Sequence, residues 1–459
     1  MRSGWAFPRP ANLANMPAKD LTQGSVLKNM AGFSLPYLLS YFMQLLYGLA
    51  DLFVIGLYDG VASTTAVSIG SQFMHFLTVM IVGLAMGSTV TLARAVGAKN
   101  EGGASKTIGS SVSLFIAVSV VTATVLLLII RPIVSVMSTP VEAINGTADY
   151  LRICFIGIPF ITAYNVIASI FRGIGDSKSP MYFVAVACAF NILLDFIFIG
   201  SMNMGPAGAA LGTTLSQTFS VGISLFYLKR KGLGIRFHKH DLRPDRPTLS
   251  TILKIGTPIA LQDGFIQIAF LAITVIANNR GLVDSAAVGI VEKLIGMLFL
   301  VPSAMLSTVS TMTAQNIGAG QAERCRLTLR YAVMIALSYG MLMAILIQFT
   351  AEPIVGWFTS DPEVIHAGGQ YFRSYVIDTV FAGIHFCLSG YFVAYGYSIV
   401  SFIHNVASII LARVPLSYIF SVNFPDTLFP MGLAAPIGSL LSVLICIGFL
   451  IWFRKHGKL

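Results

Sequence analysis

The segment ARAVGAKNEGGASK, residues 93–106, has a counterpart in AQNIGAGQAERCRL, residues 314–327, at an offset of 221 positions. Gly175 in FRGIGDS pairs with Gly396 in FVAYGYS at the same offset, and Pro36 pairs with Pro258 at an offset of 222. Three landmarks at nearly one spacing are difficult to obtain by chance. The sequence therefore predicts an internal duplication, with two halves of similar fold.

The composition of the chain excludes most soluble classes of protein. Of its 459 residues 56% are hydrophobic and 10% are charged, whereas soluble domains are about 25% charged and disordered chains have low hydrophobicity. A mean hydropathy of +0.80 indicates a polytopic membrane protein. The five cysteines are scattered and form no CxxC pair, so neither a disulfide framework nor a cysteine metal site is indicated.

Twelve mostly apolar runs have about the 20 residues that cross a bilayer. They are 30–56, 64–92, 107–130, 143–170, 180–200, 206–228, 251–278, 285–314, 327–350, 366–395, 397–421 and 428–453. The first run is too long for a signal peptide, so we expect a retained helix. The predicted fold is an all-α integral membrane protein with twelve transmembrane helices in two six-helix bundles. Because six is even, both bundles enter the membrane from the same side as parallel repeats.

The Lys and Arg residues indicate the orientation of these spans. With the first residue inside the cell, 23 of the 29 lie in inside segments and only Arg131 and Arg280 in outside loops, as the positive-inside rule requires. We therefore expect both termini to be cytoplasmic. The net charge of +10 (29 − 19) is explained by topology, so no nucleic-acid partner is expected. The expected domains are a cytoplasmic segment 1–29, an N-lobe 30–228, a cytoplasmic linker 229–250, a C-lobe 251–453 and a cytoplasmic tail 454–459.

Ionisable residues inside a bilayer are costly and are functional candidates by default. Asp51 lies fifteen residues after Pro36, about 22 Å further along the first span, and therefore in the outer half of the membrane. Asp195 lies near the outer end of span 5, and Asn191 is one turn earlier on the same face. The sequence thus predicts two carboxylates and one amide in one layer of the N-lobe.

Span 6 begins outside, which puts Ala209 and Thr213 in this same layer. Two carboxylates that share a low-dielectric site cannot easily both ionise, so the pair can hold a proton, and the same oxygen atoms suit a hard cation such as Na⁺. The alternative is a structural hydrogen-bonded pair. In the second half the two acids map to positions 272–273 and 416–417, which carry no acid. This asymmetry favours function.

Other buried charges are more ambiguous. Asp263 in span 7 and Glu292 in span 8 are candidates for a substrate cavity, where they would meet a cationic ligand. Pairing with a nearby base is the alternative, as is a position of Asp263 at the wet interface. We expect Arg413, close to Pro415, to satisfy carbonyl groups at a kink; binding of an anion is the alternative. Pro36 permits span 1 to bend, and such a bend would couple protonation of Asp51 to a movement of the helix; a static kink is the alternative.

Several motifs together resemble the multidrug and toxic compound extrusion (MATE) family over nearly the full length of the chain. They are the two six-helix halves, LADLFVIG (49–56), ARAVGAKNEGGASK (93–106), SIFRGIGDSKSPM (169–181), NILLDFIFI (191–199) and GPAGAALGTTLSQ (205–217). The resemblance implies a secondary antiporter of a prokaryotic inner membrane, which exports amphipathic, mostly cationic organic compounds in exchange for H⁺ or Na⁺ by a rocking of two lobes. It implies no cofactor, and the repeat makes a monomer sufficient.

The resemblance also implies the ion site. In one prokaryotic branch the site matches Asp51, Asn191, Asp195 and Thr213, with the carbonyl of Ala209 as a further ligand in the Na⁺ version, and the helix 1 proline, here Pro36, bends on protonation. The other bacterial branch has a Glu eight residues after the helix 7 proline. Ile266 occupies that position here, which supports a site in the N-lobe and leaves ion binding in the C-lobe open.

Two other functions are compatible with a polytopic chain. A flippase for lipid-linked sugars has similar helix bundles, but it usually has more spans and several Arg or Lys in its cavity, and only Arg152, Lys293, Arg373 and Arg413 are available here. A membrane-embedded enzyme needs a nucleophile, an acid–base pair or a metal cluster at one depth. No HExxH, GxSxG or paired Cys/His spacing occurs in the sequence, so transport is the preferred interpretation.

Overall fold

The computed structural model describes residues 20–235 and 239–457, with residues 239 and 240 by their backbone alone. Within these ranges the chain is helical and contains no strand. Five residues of the positive-inside count lie outside the described residues: Arg2, Arg9, Lys19, Arg236 and Lys458.

The described part of the first half contains seven α-helices. They are α1 (Val26–Tyr58), α2 (Val61–Gly97), α3 (Glu101–Leu128), α4 (Ile130–Val136), α5 (Ile144–Gly173), α6 (Lys178–Asp195) and α7 (Gly205–Lys231). A π-helical segment, Phe196–Ser201, continues α6 directly after Asp195. Short π segments of this kind are frequent at functional sites.

Between residues 239 and 457 the second half contains nine α-helices because several of its spans are interrupted. They are α8 (Arg246–Asn278), α9 (Leu282–Leu298), α10 (Leu300–Gly318), α11 (Ala322–Val355), α12 (Pro362–Tyr375), α13 (Asp378–Ala394), α14 (Ser398–Ser408), α15 (Val414–Asn423) and α16 (Phe429–Lys455). A π-helical segment, Ile409–Arg413, joins α14 to α15.

Each predicted span corresponds to one helix or to consecutive helices. Ten helical stretches among the described residues are long and apolar enough to cross a membrane, and the pair α12 and α13, bent by 40°, makes an eleventh. The predicted span 206–228 is the 27-residue helix α7, about 40 Å long. It is less apolar than the others because it carries many Ser, Thr and Gly residues.

The break between α9 and α10 has a local cause. Pro302 lies in the first turn of α10 and has no N–H to donate to the carbonyl of Leu298, four residues earlier. The Tyr339 hydroxyl donates to the Leu298 carbonyl oxygen at 3.1 Å. A side chain from α11 thus replaces the missing backbone hydrogen bond, which allows the break to lie inside an apolar span.

The chain divides into two compact units, and the division does not follow the helix ends. The first unit contains Leu35–Gly256, and the second contains Thr22–Ser34 together with the chain from Thr257 onward. The first turns of α1 therefore belong to the second unit, and the first turns of α8 belong to the first unit. In α1, Pro36 lies two residues after Ser34, where the segment of the second unit ends. In α8, Pro258 lies two residues after Gly256, where the first unit ends.

Helix packing repeats between the two units. In the first, α5 packs against α2, α3 and α7, and in the second α13 packs against α10, α11 and α16. Helices α5 and α13 belong to the fourth span of their respective halves. Each packs against the second, third and sixth spans of its own half. The shared pattern confirms the internal duplication that the sequence predicted.

The segment that follows α7 is bound to α3 within the first unit. The Ser113 hydroxyl donates to the Leu242 carbonyl at 2.5 Å, the Asp245 N–H donates to Ser110 Oγ at 3.1 Å, and Lys106 Nζ lies 3.6 Å from Asp245 Oδ1. A Cβ at Gly109 would collide with the Asp241 carbonyl. The absence of a side chain at Gly109 thus permits this close approach of the linker.

The docking of this linker is expected to weaken in acid. Hydrogen bonds from Thr248, and then the nearby charge of Lys106, hold the pKa of Asp245 below its usual value, so these contacts favour the ionised form. Their contribution is complete above about pH 4 and is lost as the pH falls through the lowered pKa. Amide hydrogen exchange of residues 241–245 should therefore become less protected at low pH. An Asp245→Asn protein should lack this pH dependence; an unchanged dependence would contradict the assignment.

Candidate functional site

A buried polar layer lies in the first unit between two apolar clusters. One cluster includes Val54, Tyr150 and Phe155, and the other includes Phe171 and Phe183. The layer itself contains four residues that the sequence had placed at one depth, Asp51 of α1, Asn191 and Asp195 of α6 and Thr213 of α7, exposed by 2%, 1%, 0% and 7%.

The structure brings these four side chains together. The Thr213 hydroxyl donates to Asp51 Oδ2 at 3.0 Å, and the Asp195 carboxyl and the Asn191 amide also lie beside the Asp51 carboxyl. The two carboxyl groups thus share one apolar surrounding, in which two negative charges are unfavourable. A proton or another cation in the layer would relieve this repulsion.

Among the described residues, most of the polar atoms in the layer make no hydrogen bond of standard geometry. They are Asp51 Oδ1, Asn191 Oδ1, Asn191 Nδ2 and both carboxylate oxygens of Asp195, all of them buried, and the Asn191 amide and the Asp195 carboxyl lie next to the Asp51 carboxyl. Unpaired buried polar atoms cost about 1–3 kcal/mol each, so this arrangement suits a site that is completed by a ligand. Four oxygen atoms from two carboxylates and one amide are the donors that a hard cation prefers; the same carboxylates can also hold a proton.

Gly212 is necessary for the close approach of α6 and α7. A Cβ at this position would collide with Asp195 Oδ1 and would lie 3.5 Å from Asn191 Nδ2. Gly212 was not among the site residues predicted from the sequence. Its position directly before Thr213 in the pattern GTT was the available signal.

Replacement of Gly212 by Ala should displace the Asp195 carboxyl and weaken ion binding. Overpacking costs about 1–3 kcal/mol, which corresponds to about 5- to 150-fold in affinity. Ion dependence of gradient-driven transport in proteoliposomes measures this effect. Gly222→Ala is the matched control on the same helix, because a Cβ there meets no atom within 4 Å. Equal ion affinity in the two variants would show that Gly212 does not shape the site.

Of the two remaining first-half candidates, Ala209 lies beside the layer and Pro36 lies about 22 Å from Asp51 along α1. Ala209 is fully buried and one turn before Thr213 on α7, at the edge of the apolar cluster around Phe155. Pro36 lies inside a continuous α1, and the Ser40 hydroxyl donates to its carbonyl at 2.9 Å.

The second unit contains a different buried charge cluster. Arg413 Nη2 lies 2.7 Å from Asp378 Oδ2, with the two side chains 11% and 0% exposed. The prediction that Arg413 satisfies carbonyl groups at a kink therefore did not identify Asp378 as its charged partner. Arg373, the nearest base to Asp378 in the sequence, instead lies 3.2 Å from Glu352 Oε1.

The two candidates for a substrate cavity are not neighbours in the structure. Glu292 of α9 accepts a hydrogen bond from the Thr274 hydroxyl at 3.3 Å, and its Oε1 is buried and unpaired. Asp263 is partly buried on α8, eleven residues before Thr274 and thus about 16 Å further along the helix. Within residues 20–235 and 239–457, no three His, Cys, Asp or Glu side chains form a metal-binding group.

Two residues beside the polar layer were not found from the sequence. Tyr47 of α1 lies one turn before Asp51 and close to Gln217, which lies one turn after Thr213 on α7. The spacing of four residues from each predicted ligand was the signal that could have identified them. Both line a small cavity next to the layer.

The protein crosses the membrane many times, its two halves have the same helix packing, and it contains a buried cluster of oxygen atoms. Together these features are typical of a secondary transporter built from repeats. A family model described as MatE matches residues 36–197 and again residues 258–419, an offset of 222. The chain therefore belongs to the MATE family, whose members are ion-coupled antiporters.

Named relatives and solved structures agree with this assignment. The chain is 30% identical over 443 residues to the probable multidrug resistance protein YpnP of Bacillus subtilis, covering 96% of this chain and 98% of the relative. It is 25% identical over 452 residues to the probable multidrug resistance protein NorM of Thermotoga maritima, covering 96% and 95%. A solved outward-facing conformation of a multidrug resistance MATE family transporter has a TM-score of 0.88 at 23% identity, covering 95% of this chain and 97% of that chain. This likeness shows the fold.

Proposed function

We propose that this protein exports amphipathic, mostly cationic organic compounds in exchange for H⁺ or Na⁺ by alternating access. The observation that carries the proposal is the layer of unpaired buried oxygen atoms around Asp51 and Asp195. The names of YpnP and NorM support drugs as the class of substrate.

The polar layer supplies the coupling. Asp51, Asn191, Asp195 and Thr213, with the carbonyl of Ala209, bind the entering ion. Binding removes the repulsion between the two carboxylates, because one of them is protonated or both share a cation. Departure of the ion restores that repulsion. The site can therefore favour one conformation when loaded and another when empty, which is the differential affinity that any coupled switch requires.

Helix α1 transmits this change. Pro36 removes one backbone hydrogen bond in α1, so bending there costs less than elsewhere. Asp51 and Pro36 lie on the same helix, about 22 Å apart, and we propose that ion binding at Asp51 changes the bend at Pro36. Asp263 and Glu292 are proposed to line the substrate cavity and to attract a cationic compound. The unpaired Oε1 of Glu292 supports this role.

The proposed setting follows from the charge distribution. The protein is placed in the inner membrane of a prokaryote with both termini in the cytoplasm, and lobes 30–228 and 251–453 are joined by the cytoplasmic linker 229–250. Because both halves of the repeat are present in one chain, a monomer suffices. No cofactor other than the coupling ion enters the proposed cycle.

Export of a fluorescent organic cation from proteoliposomes tests the function. A Na⁺ gradient and a pH gradient are imposed separately, and protein-free liposomes serve as the control. Efflux driven by one gradient supports the proposal and names the ion. If neither gradient drives efflux by folded protein, the exporter is excluded, and scrambling of a labelled lipid-linked sugar then tests the flippase.

A further inference from the structure

A line of buried polar side chains leads away from the ion site through the interior of the first unit. On α7 it consists of Thr213, Ser216, Gln217, Ser220 and Ser224. The four hydroxyl residues are all buried, with exposures of 0–7%. They explain why α7 is the least apolar of the long helices, since a helix that only spans a bilayer has no need of a buried polar line.

The line opens into a cavity directly beside the ion site. Its lining includes Tyr47, Cys188, Ser216, Gln217 and Ser220, and its volume of about 10 Å³ is enough for about one water. Gln217 Oε1 is buried beside it without a hydrogen-bond partner. A polar wall with an unpaired acceptor is the setting in which buried water is found.

All lining residues lie on one side of the ion site. Tyr47 precedes Asp51 on α1, Cys188 precedes Asn191 on α6, and Gln217 follows Thr213 on α7. From the ion site, all three residues lie toward the end of the helix bundle that carries Lys178 and Lys231. The positive-inside rule assigns this end to the cytoplasm.

Three aromatic rings separate the cavity from that end. Phe171, Phe183 and Tyr227 pack with ring centroids 5.5–6.0 Å apart. The Ser220 hydroxyl donates to the Phe183 carbonyl at 3.2 Å on the cavity side. Beyond the rings, the Tyr227 hydroxyl lies 3.2 Å from Ser179 Oγ.

The polar line continues on the far side of the rings. The Ser179 hydroxyl donates to Asp176 Oδ2 at 2.5 Å, and Asp176, in the turn between α5 and α6, is partly exposed. Ser179 precedes Asp195 by 16 residues on α6, about 24 Å along the helix. The side chains thus form a nearly continuous polar line from the buried acids to the end of the helix bundle, interrupted by one aromatic contact.

We propose that the coupling ion leaves the Asp51–Asp195 site toward the cytoplasm through the interior of the first unit, by way of the Tyr47–Gln217 cavity, and that the Phe171–Phe183–Tyr227 contact closes this route. The inference rests on the proposed function, because it assigns an exit to the proposed ion. The amide of Gln217 and one bound water replace the protein oxygen atoms that the ion loses. Substrate has no part in this route.

If the ion leaves by this route, a mutation in the route should affect net antiport but not substrate exchange. Net antiport requires the ion to be released into the cytoplasm, whereas exchange of labelled for unlabelled substrate across the membrane does not. In Gln217→Leu, an apolar side chain of similar size removes the amide. Gradient-driven efflux should then fall by about tenfold, the effect of one lost hydrogen bond on a rate, while substrate exchange stays within about twofold of wild type.

Two further variants distinguish a role of Gln217 in the ion route from a purely structural role. Gln217→Asn retains the amide and should restore at least half of the wild-type efflux rate. Thr218→Val is the matched control on the next position of α7, because the Thr218 hydroxyl is bonded at 2.8 Å to the Thr214 carbonyl of its own helix. It should leave both transport modes unchanged.

Each outcome has a distinct meaning. An equal loss of efflux and exchange in Gln217→Leu, or no loss of either, overturns the route while the ion site itself stands. If wild-type protein responds to neither ion gradient, the proposed function fails and the route fails with it. Size-exclusion profiles of all variants in detergent establish that the comparison is between folded proteins.

Discussion

Replacement of either Asp51 or Asp195 by Asn is expected to abolish gradient-driven export and to leave the protein folded. Asn has nearly the shape of Asp but cannot bind a proton or carry a negative charge. At an effective dielectric constant of about 20, a carboxylate about 4 Å from a cation contributes about 4 kcal/mol, which is about a thousandfold in affinity. Because both carboxyl groups lie in one buried layer, where the Thr213 hydroxyl bonds only Asp51 Oδ2, loss of either should remove coupling.

The measurement is efflux of a fluorescent cation from proteoliposomes under the gradient that drives the wild-type protein. Asp149→Asn is the matched control, since Asp149 is exposed and paired with Arg152 at 2.7 Å, and it should retain full efflux. Folding should survive in the Asn variants because they remove a charge from an apolar layer, which is favourable for stability. Normal efflux by both variants would show that the ion binds elsewhere.

The second large effect is on stability and concerns Arg413. Its replacement by Met leaves Asp378 buried and without its cation, and breaking a buried pair in this way costs about 3–5 kcal/mol. Glu292 faces the same region and is also left without a positive charge nearby. We therefore expect Arg413→Met to unfold at markedly lower denaturant concentration in detergent solution.

A second substitution should reverse much of this loss. In Arg413→Met with Asp378→Asn no charge of the pair remains, and buried pairs replaced on both sides are often neutral. Arg373→Met is the control, since its pair with Glu352 is 30% and 36% exposed, and it should cost no more than about 1 kcal/mol. If Arg413→Met and Arg373→Met were equally stable, the buried pair would have no special importance.

The depth of the ion site in the membrane could be predicted because successive spans cross the membrane in opposite directions. Helical rise fixes how far Asp51, Asp195 and Thr213 lie along their spans, and alternate span directions fix the side of the membrane. Rotation of each helix is not fixed by these counts. The sequence therefore predicted one layer, and only the structure shows that the Thr213 hydroxyl faces Asp51 Oδ2. The role of these residues in coupling stays a prediction.

The pair of Asp378 and Arg413 could not be found in the same way. The two residues are 35 positions apart in different spans, and nothing in the sequence states which helices of a bundle are neighbours. The break before Pro302 was equally hidden, since it depends on the distant Tyr339 hydroxyl. Local patterns predicted spans and repeats, whereas partners from other helices decided the breaks and the ion pairs.

The division of α1 between the two units has a consequence for synthesis of the protein. Arg324 Nη1 donates to the Gly24 carbonyl at 2.8 Å within the second unit, so the turn before α1 docks on a part of the chain made about 300 residues later. During synthesis this segment cannot dock until residue 324 has been added to the chain. A chain that stops after the first half leaves this segment without that partner, so the docking of the turn before α1 requires synthesis of part of the second half.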